Sequence, residues 1–206
     1  MTQSIVVQQP VVASGLILLL HGVGANARGM QEIGEYLAHE FPDSAVIAVN
    51  SPDPCDLGSG FQWFSVQGVT EANRPARIAA TMGRFEQMIQ YWQQQTQVDA
   101  SQTTLIGFSQ GAIMALESAK QQTTALAGRI VSLSGRFAAL PQTLVHPPRF
   151  LFLHGQQDPV IDVQYAHQAV TCLQQQSVTV ESCYYPGMGH QVSAAELSDL
   201  VTWLSR

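Results

Sequence analysis

The chain has 206 residues, of which 46% are hydrophobic and only 12% are charged, and its formal net charge is −6. This length suits one domain, so we expect residues 1–206 to form a single unit. The acidic balance argues against a nucleic-acid partner, which needs a basic surface. No apolar run approaches the roughly 20 residues of a membrane-spanning helix. We therefore expect no stable membrane insertion, and the lack of a basic, apolar leader favours the cytoplasm.

Short apolar runs alternate with helical patterns along the chain. Five runs are almost continuously apolar, as in strands buried on both faces, and a sixth alternates, as expected near a sheet edge. The predicted strands are Gly15–Leu20, Ala45–Asn50, Thr104–Phe108, Arg129–Ser134, Phe150–His154 and Val178–Tyr185, with Ser4–Gln8 as a further candidate. The predicted helices are Gly29–Phe41, Pro75–Gln95, Gln110–Gln121, Asp162–Gln175 and Ser193–Leu204, the last opening on a Ser193/Glu196 capping box. The alternation predicts a mostly parallel central sheet with helices on both faces.

Two connections differ in a way that bears on function. Ser51–Arg74 is long and contains prolines and glycines, and loops of this length in compact domains tend to be functional. Gly135–Pro148 is shorter and has no room for a separate cap domain. We expect an open groove whose specificity is shaped by the longer connection.

The strongest chemical signal is Gly107-Phe108-Ser109-Gln110-Gly111, between a predicted strand and a predicted helix. This is the arrangement of a nucleophile elbow, in which small residues permit a sharp reversal and a strained serine backbone. The turn lifts the hydroxyl clear of the sheet. Ser109 is therefore the candidate nucleophile, and a glycine-flanked helix cap is the alternative.

A serine nucleophile needs a base, and the base needs an orienting acid. Asp158 follows the predicted strand Phe150–His154, and His190 follows the next one. Both lie where functional residues gather in open α/β sheets, and the order serine, acid, histidine is the one this type of fold uses. The competing acid, Asp162, is more typical of a cap on the following helix.

A glycine-rich turn after the first long strand predicts an oxyanion hole. The backbone N–H groups of Val23 and Gln110 are the candidate donors. His21 in the same turn, and His154 at another strand end, are interpreted as histidines whose rings fix their turns by hydrogen bonds, because each directly precedes a glycine at a strand end.

No cofactor is predicted. The sequence has no His/Asp/Glu cluster with the spacing of metal ligands, and its three cysteines include no CxxC pair, so we predict no metal and reduced thiols. Gly22-Val23-Gly24 is not a dinucleotide fingerprint, because no acidic residue closes the next strand at Asn50.

With these residues in place, the chain resembles the phospholipase/carboxylesterase family of α/β-hydrolases, which includes acyl-protein thioesterases. The matching stretches are LLLHGVGAN, GFSQGAIMALES, LFLHGQQDPVI and YYPGMGHQV. The resemblance implies the α/β-hydrolase fold, a Ser109–His190–Asp158 triad, and the Val23 and Gln110 N–H groups as the oxyanion hole. Gln62-Trp63-Phe64-Ser65 is similar to the family's Trp-Phe-Asp segment, with Ser65 where aspartate is usual. Trp63, Phe64 and Met188 are the candidate substrate-binding residues.

The resulting expectation is a serine hydrolase acting on carboxylic esters of short to medium acyl chains. Thioester or lysophospholipid cleavage is an alternative within the same chemistry, as is peptidase or acyltransferase activity, and a non-catalytic binding module on the same fold is the alternative from another class. Only Arg136 lies near the site-bearing segments, so we expect few cations at the groove and a neutral, small acyl ester as substrate. A monomer and a homodimer are both compatible with the sequence.

Overall fold

The computed structural model describes residues 4–121 and 123–206. The strands are β1 (Ile5–Gln8), β2 (Gly15–Leu20), β3 (Ser44–Val49), β4 (Asp53–Pro54), β5 (Phe61–Gln62), β6 (Thr103–Phe108), β7 (Arg129–Leu133), β8 (Arg149–Gly155) and β9 (Val180–Tyr185). The helices are α1 (Gln31–Glu40), α2 (Arg74–Thr96), α3 (Gln110–Ser118), α4 (Gln164–Gln175) and α5 (Ala194–Leu204). Within these ranges no helix is both long enough and apolar enough to span a membrane.

Seven strands form one sheet in the order β1-β3-β2-β6-β7-β8-β9. All neighbouring strands pair in parallel except β1, which runs antiparallel to β3 at the edge. The mostly parallel sheet predicted from the sequence is confirmed. The candidate strand Ser4–Gln8 is also present, as β1. The alternating run Val178–Tyr185 contains the opposite edge strand, β9, whose residues are all half-buried.

Both faces of the sheet are covered by helices. Leu16, Leu18 and Leu20 of β2 point to one side, into a core shared with α2, α3 and α4. Ile17 and Leu19 point to the other side, into a core shared with α1 and α5. This two-sided burial explains why the central strands are continuously apolar, since neither face of the sheet can tolerate an unpaired polar side chain.

The sequence analysis missed a small hairpin within the long connection. Strands β4 and β5 pair antiparallel, Asp53 with Gln62 and Pro54 with Phe61. Two-residue strands are too short to show any periodicity, so sequence patterning cannot find them. Helix α3 ends at Ser118, three residues before the predicted end.

The connection between β7 and β8 holds no helix or strand, and all of its residues are described. This agrees with the expectation that it carries no cap domain. The carboxyl ends of β6, β8 and β9 therefore open directly onto the loops that follow them. The candidate site lies at this edge of the sheet.

Candidate active site

Ser109 occupies the sharp turn between β6 and α3. Its backbone has φ 53° and ψ −114°, a strained conformation for a residue with a side chain. The flanking glycines are required by close approach: a Cβ on Gly107 would lie 2.3 Å from the Ala112 nitrogen, and one on Gly111 would lie 2.3 Å from the Leu20 oxygen. The elbow predicted from the sequence is therefore the geometry that the chain adopts.

His190 joins Ser109 to Asp158. Its Nε2 lies 2.9 Å from Ser109 Oγ, and its Nδ1 lies 2.7 Å from Asp158 Oδ2. Asp158 is in the loop after β8 and His190 is in the loop after β9, so the three side chains all follow the carboxyl ends of strands of one sheet, with β7 between β6 and β8. The Phe108 ring packs against the imidazole with ring centres 4.9 Å apart.

The Asp158 carboxylate is buried but accepts three hydrogen bonds. Burial raises its pKa, but the hydrogen bonds from His190 and from the Ile161 and Val160 N–H groups outweigh burial and hold the pKa below its ordinary value. An ionised carboxylate can only accept, so His190 Nδ1 carries the proton toward Asp158. His190 Nε2 is then free to accept from the Ser109 hydroxyl.

Val23 and Gln110 line the same cavity as Ser109. Among the described residues, neither backbone N–H donates a hydrogen bond to the protein. Gln110 is the first residue of α3, where N–H groups are unpaired and the helix dipole favours negative charge. Both N–H groups are therefore free of protein partners among the described residues, and their role as oxyanion donors stays a prediction.

The Gln110 side chain has a role that the sequence analysis did not find. Its Oε1 accepts from the Trp63 N–H at 2.8 Å, and its Nε2 donates to the Phe64 carbonyl at 2.7 Å. The buried amide therefore fastens the long 51–74 connection to the elbow. The partners lie more than 45 positions away along the chain, and no local pattern could have indicated them.

The two strand-end histidines, His21 and His154, are structural, as interpreted. His21 Nδ1 donates to the Gly22 carbonyl at 2.7 Å and Nε2 accepts from the Ser51 N–H at 3.0 Å; burial lowers its pKa. His154 Nε2 donates to the Ile161 carbonyl at 2.8 Å. Both rings fix the main chain of site loops.

Asp162, the competing acid, caps the start of α4 as expected: its Oδ1 accepts from the Gln164 N–H at 2.8 Å.

The cavity beside Ser109 has a volume of about 150 Å³. Apart from the residues already described, its lining is mainly apolar: Phe64, Val66, Ile113, Val160, Ile161 and Tyr165. Phe64, predicted as a substrate-binding residue, is on this wall. The other two predicted residues are elsewhere.

Trp63 is 2% exposed and lines a different cavity, against Phe85 of α2. Its indole N–H donates to the His21 carbonyl at 2.9 Å, which turns the ring away from Ser109. Met188 is buried, and its carbonyl accepts from the Gln157 N–H, so it supports the loop between β9 and His190. Neither side chain lines the cavity beside Ser109, contrary to expectation.

Ser65, which replaces the usual aspartate, is also outside this lining. Its hydroxyl donates to Asp56 Oδ2 at 2.5 Å, and Arg77 donates to its carbonyl at 3.0 Å. A carboxylate is thus present beside Ser65, supplied by a different position of the chain.

The expectation of few cations at the groove is wrong. Arg74 and Arg136 both line the cavity beside Ser109. Arg74 begins α2, 35 positions before the nucleophile, and the fold of the long connection brings it there. Counting charges only in the segments that carry the site residues therefore missed it.

The chain is similar to proteins named as esterases and to one named as an acyl-protein thioesterase. The chain is 45% identical over 188 residues to esterase YpfH of Escherichia coli (strain K12). This match covers 91% of this chain and 81% of that protein. It is 24% identical over 206 residues to acyl-protein thioesterase 1 homolog 1 of Dictyostelium discoideum, covering 94% of this chain and 90% of the relative. The crystal structure of esterase PE8 superposes with a TM-score of 0.88 at 26% identity, covering 94% and 93% of the two chains.

These relatives support the α/β-hydrolase fold and a carboxylesterase-type hydrolase enzyme. The phospholipase/carboxylesterase family model matches residues 1–206 in full. The chain belongs to the phospholipase/carboxylesterase family.

Proposed function

We propose that the protein hydrolyses carboxylic esters of short to medium acyl chains, with Ser109 as nucleophile, His190 as general base and acid, and Asp158 as the residue that orients His190. The observation that carries the proposal is the position of His190, whose two ring nitrogens contact Ser109 Oγ and Asp158 Oδ2. A histidine with one nitrogen on a hydroxyl and the other on a buried carboxylate has the tautomer that proton transfer requires.

The reaction has two steps. His190 Nε2 takes the Ser109 proton as the oxygen attacks the ester carbonyl, and the Val23 and Gln110 N–H groups bind the oxyanion. His190 then gives the proton to the departing alcohol, leaving an acyl-serine. Water, deprotonated by His190, attacks this acyl group and releases the acid.

Replacement of the nucleophile is the direct test. Ser109→Ala should lower kcat for p-nitrophenyl butyrate by about 10⁴–10⁶-fold and abolish labelling by a fluorophosphonate probe. Ser205→Ala, in an exposed serine at the end of the chain, should leave both unchanged. Retained hydrolysis in a folded Ser109→Ala variant would refute the assignment, and absence of labelling in the wild type would favour a binding module.

Thioester cleavage is the second candidate, because one relative is named as an acyl-protein thioesterase. The apolar wall formed by Phe64, Val66 and Ile113 accepts an acyl chain irrespective of the leaving group. Paired oxygen and thiol esters of four, eight and twelve carbons separate the candidates. We expect the shorter oxygen esters to give the higher kcat/KM, and a preference for the longer thioesters would reverse the ranking.

A further inference from the structure

Among the described residues, two charged side chains line the cavity beside Ser109, and both are cationic. They are Arg74 and Arg136, in a wall that is otherwise mostly apolar. Both arginines pair with Glu71, whose side chain is about 60% exposed. We call these three residues the arginine cluster.

Arg136 is held rigidly. Its two terminal nitrogens contact the two Glu71 oxygens at 3.1 and 2.6 Å, and its Nε donates to the Phe137 carbonyl at 3.1 Å. Its guanidinium lies 3.5 Å from the centre of the Tyr165 ring. The hydrogen bonds from Arg136 lower the pKa of Glu71, so that this carboxylate stays ionised.

Arg74 shares the same carboxylate. Its Nη2 lies 2.9 Å from Glu71 Oε1, the oxygen that Arg136 also contacts. Arg74 Nε is buried and has no hydrogen-bond partner among the described residues. Because Nε is closed off from the cavity, a ligand would reach Arg74 through its terminal nitrogens, and the side chain as a whole is 18% exposed.

The cluster contains two positive charges and one negative charge, so one positive charge is unbalanced. We propose that it binds a carboxylate at the far end of the acyl chain, making the preferred substrate an ester of a dicarboxylic acid that keeps one free carboxylate. One such group balances the charge and can accept from the terminal guanidinium nitrogens that face the cavity. This inference rests on the proposed function, because the acyl chain must start at Ser109.

A pair of matched substrates tests the proposal. p-Nitrophenyl hydrogen adipate and p-nitrophenyl hexanoate have the same chain length and leaving group, and differ in the terminal carboxylate. The wild type should favour the adipate ester in kcat/KM after subtraction of the uncatalysed rate. Arg74→Gln should lower kcat/KM for the adipate ester on the order of tenfold, mainly through KM, and change the hexanoate value less than about twofold.

Two variants separate recognition from structural support. Glu71→Gln removes the competing carboxylate and should raise the adipate-to-hexanoate ratio, whereas a purely structural role predicts no such rise. Arg84→Gln is the control, because Arg84 is also on α2 but pairs with Asp53 and lines another cavity. It should leave the ratio unchanged.

The proposal is overturned if Arg74→Gln leaves the ratio of the two kcat/KM values at its wild-type level. That result differs from failure of the proposed function, which would appear as residual hydrolysis of both esters by Ser109→Ala. A wild type that requires Ser109 but does not favour the adipate ester likewise rejects the carboxylate site alone.

Discussion

Two groups of polar residues meet at one cavity, which Ser109 of the first group and both arginines of the second group line, and the two groups are built in different ways. Ser109, Asp158 and His190 each lie within five residues of the end of a sheet strand. The arginine cluster comes from the long connection, the first turn of α2 and the connection after β7. The first group is positioned by the sheet itself, and the second by the packing of connections on one another.

The electrostatic settings differ as well. Asp158 has a fully buried side chain that accepts from three donors, whereas the Glu71 side chain is largely exposed. Exposed ion pairs contribute roughly 0–1 kcal/mol, while loss of one partner of a buried charge pair costs several times more. We therefore expect the sheet-positioned group to be intolerant of change and the arginine cluster to tune selectivity. The following predictions test this difference, from the largest effect to the smallest.

Gly111→Ala should have the largest effect, because the new Cβ would lie 2.3 Å from the Leu20 oxygen and 2.8 Å from the His21 oxygen. The elbow and β2 would have to separate, so we expect a loss of several kcal/mol in the free energy of unfolding, seen as a lower Tm, and no measurable esterase activity. Gly83→Ala is the control: nothing lies within 4 Å of its Cβ on α2, and it should stabilise the protein by about 0.5–1 kcal/mol. Wild-type Tm and activity in Gly111→Ala would show that the elbow tolerates expansion.

Asp158→Asn should lower kcat by about 10⁴-fold while the protein stays folded, since the amide favours the wrong His190 tautomer. Steady-state kinetics and a thermal melt measure the two effects. Asp162→Asn, which keeps an acceptor for the Gln164 N–H, is the matched control and should stay within about twofold of the wild type. A comparable loss in both variants would contradict the assignment of Asp158.

Glu196 follows the His190 loop and should make stability depend on pH. Burial raises the pKa of Glu196 from its ordinary value to about 7. Its contribution to stability is therefore fully present below pH 4.5 and is lost as the pH rises through 7. Glu196→Gln should gain up to about 3 kcal/mol relative to the wild type between pH 4.5 and pH 8. Urea unfolding at several pH values measures this, with exposed Glu32→Gln as the control; a constant difference across pH would contradict it.

Gln110→Met tests the contact between the two groups. It keeps the side-chain volume but leaves the Trp63 N–H and the Phe64 carbonyl without partners. We expect a loss of about 2 kcal/mol in the free energy of unfolding and a larger change in KM than in kcat, since the Val23 and Gln110 N–H groups remain. Urea unfolding with parallel kinetics measures both. An unchanged KM would mean that the long connection is held without this amide.

The features that could be predicted from the sequence are those that depend on residues close together in the chain. Examples are the apolar runs of β2 and β6 and the glycines around Ser109. Asp158 and His190 could be predicted because each follows a strand, and a parallel sheet places the carboxyl ends of its strands side by side. The capping box of Ser193 and Glu196 is equally local, and both of its hydrogen bonds are present.

What the sequence could not predict depends on packing between distant segments. Trp63 looked like a groove residue because it is aromatic and near Phe64, but a hydrogen bond to the His21 carbonyl directs it into the core. Arg74 and Arg136 are 62 positions apart in the sequence, and only their shared contact with Glu71 places them at one site. No single-sequence pattern encodes such a contact.

The buried amide of Gln110 has a consequence for engineering. The long connection is secured to the elbow by one N–H and one carbonyl, both on the main chain, so the fastening does not depend on the side chains of the loop. A grafted loop of different sequence must present those two main-chain groups to the same amide and must also fill the buried positions of Trp63 and Phe64. The part of the cavity wall that this loop forms, at Phe64 and Val66, can then be varied while the elbow that carries Ser109 stays the same.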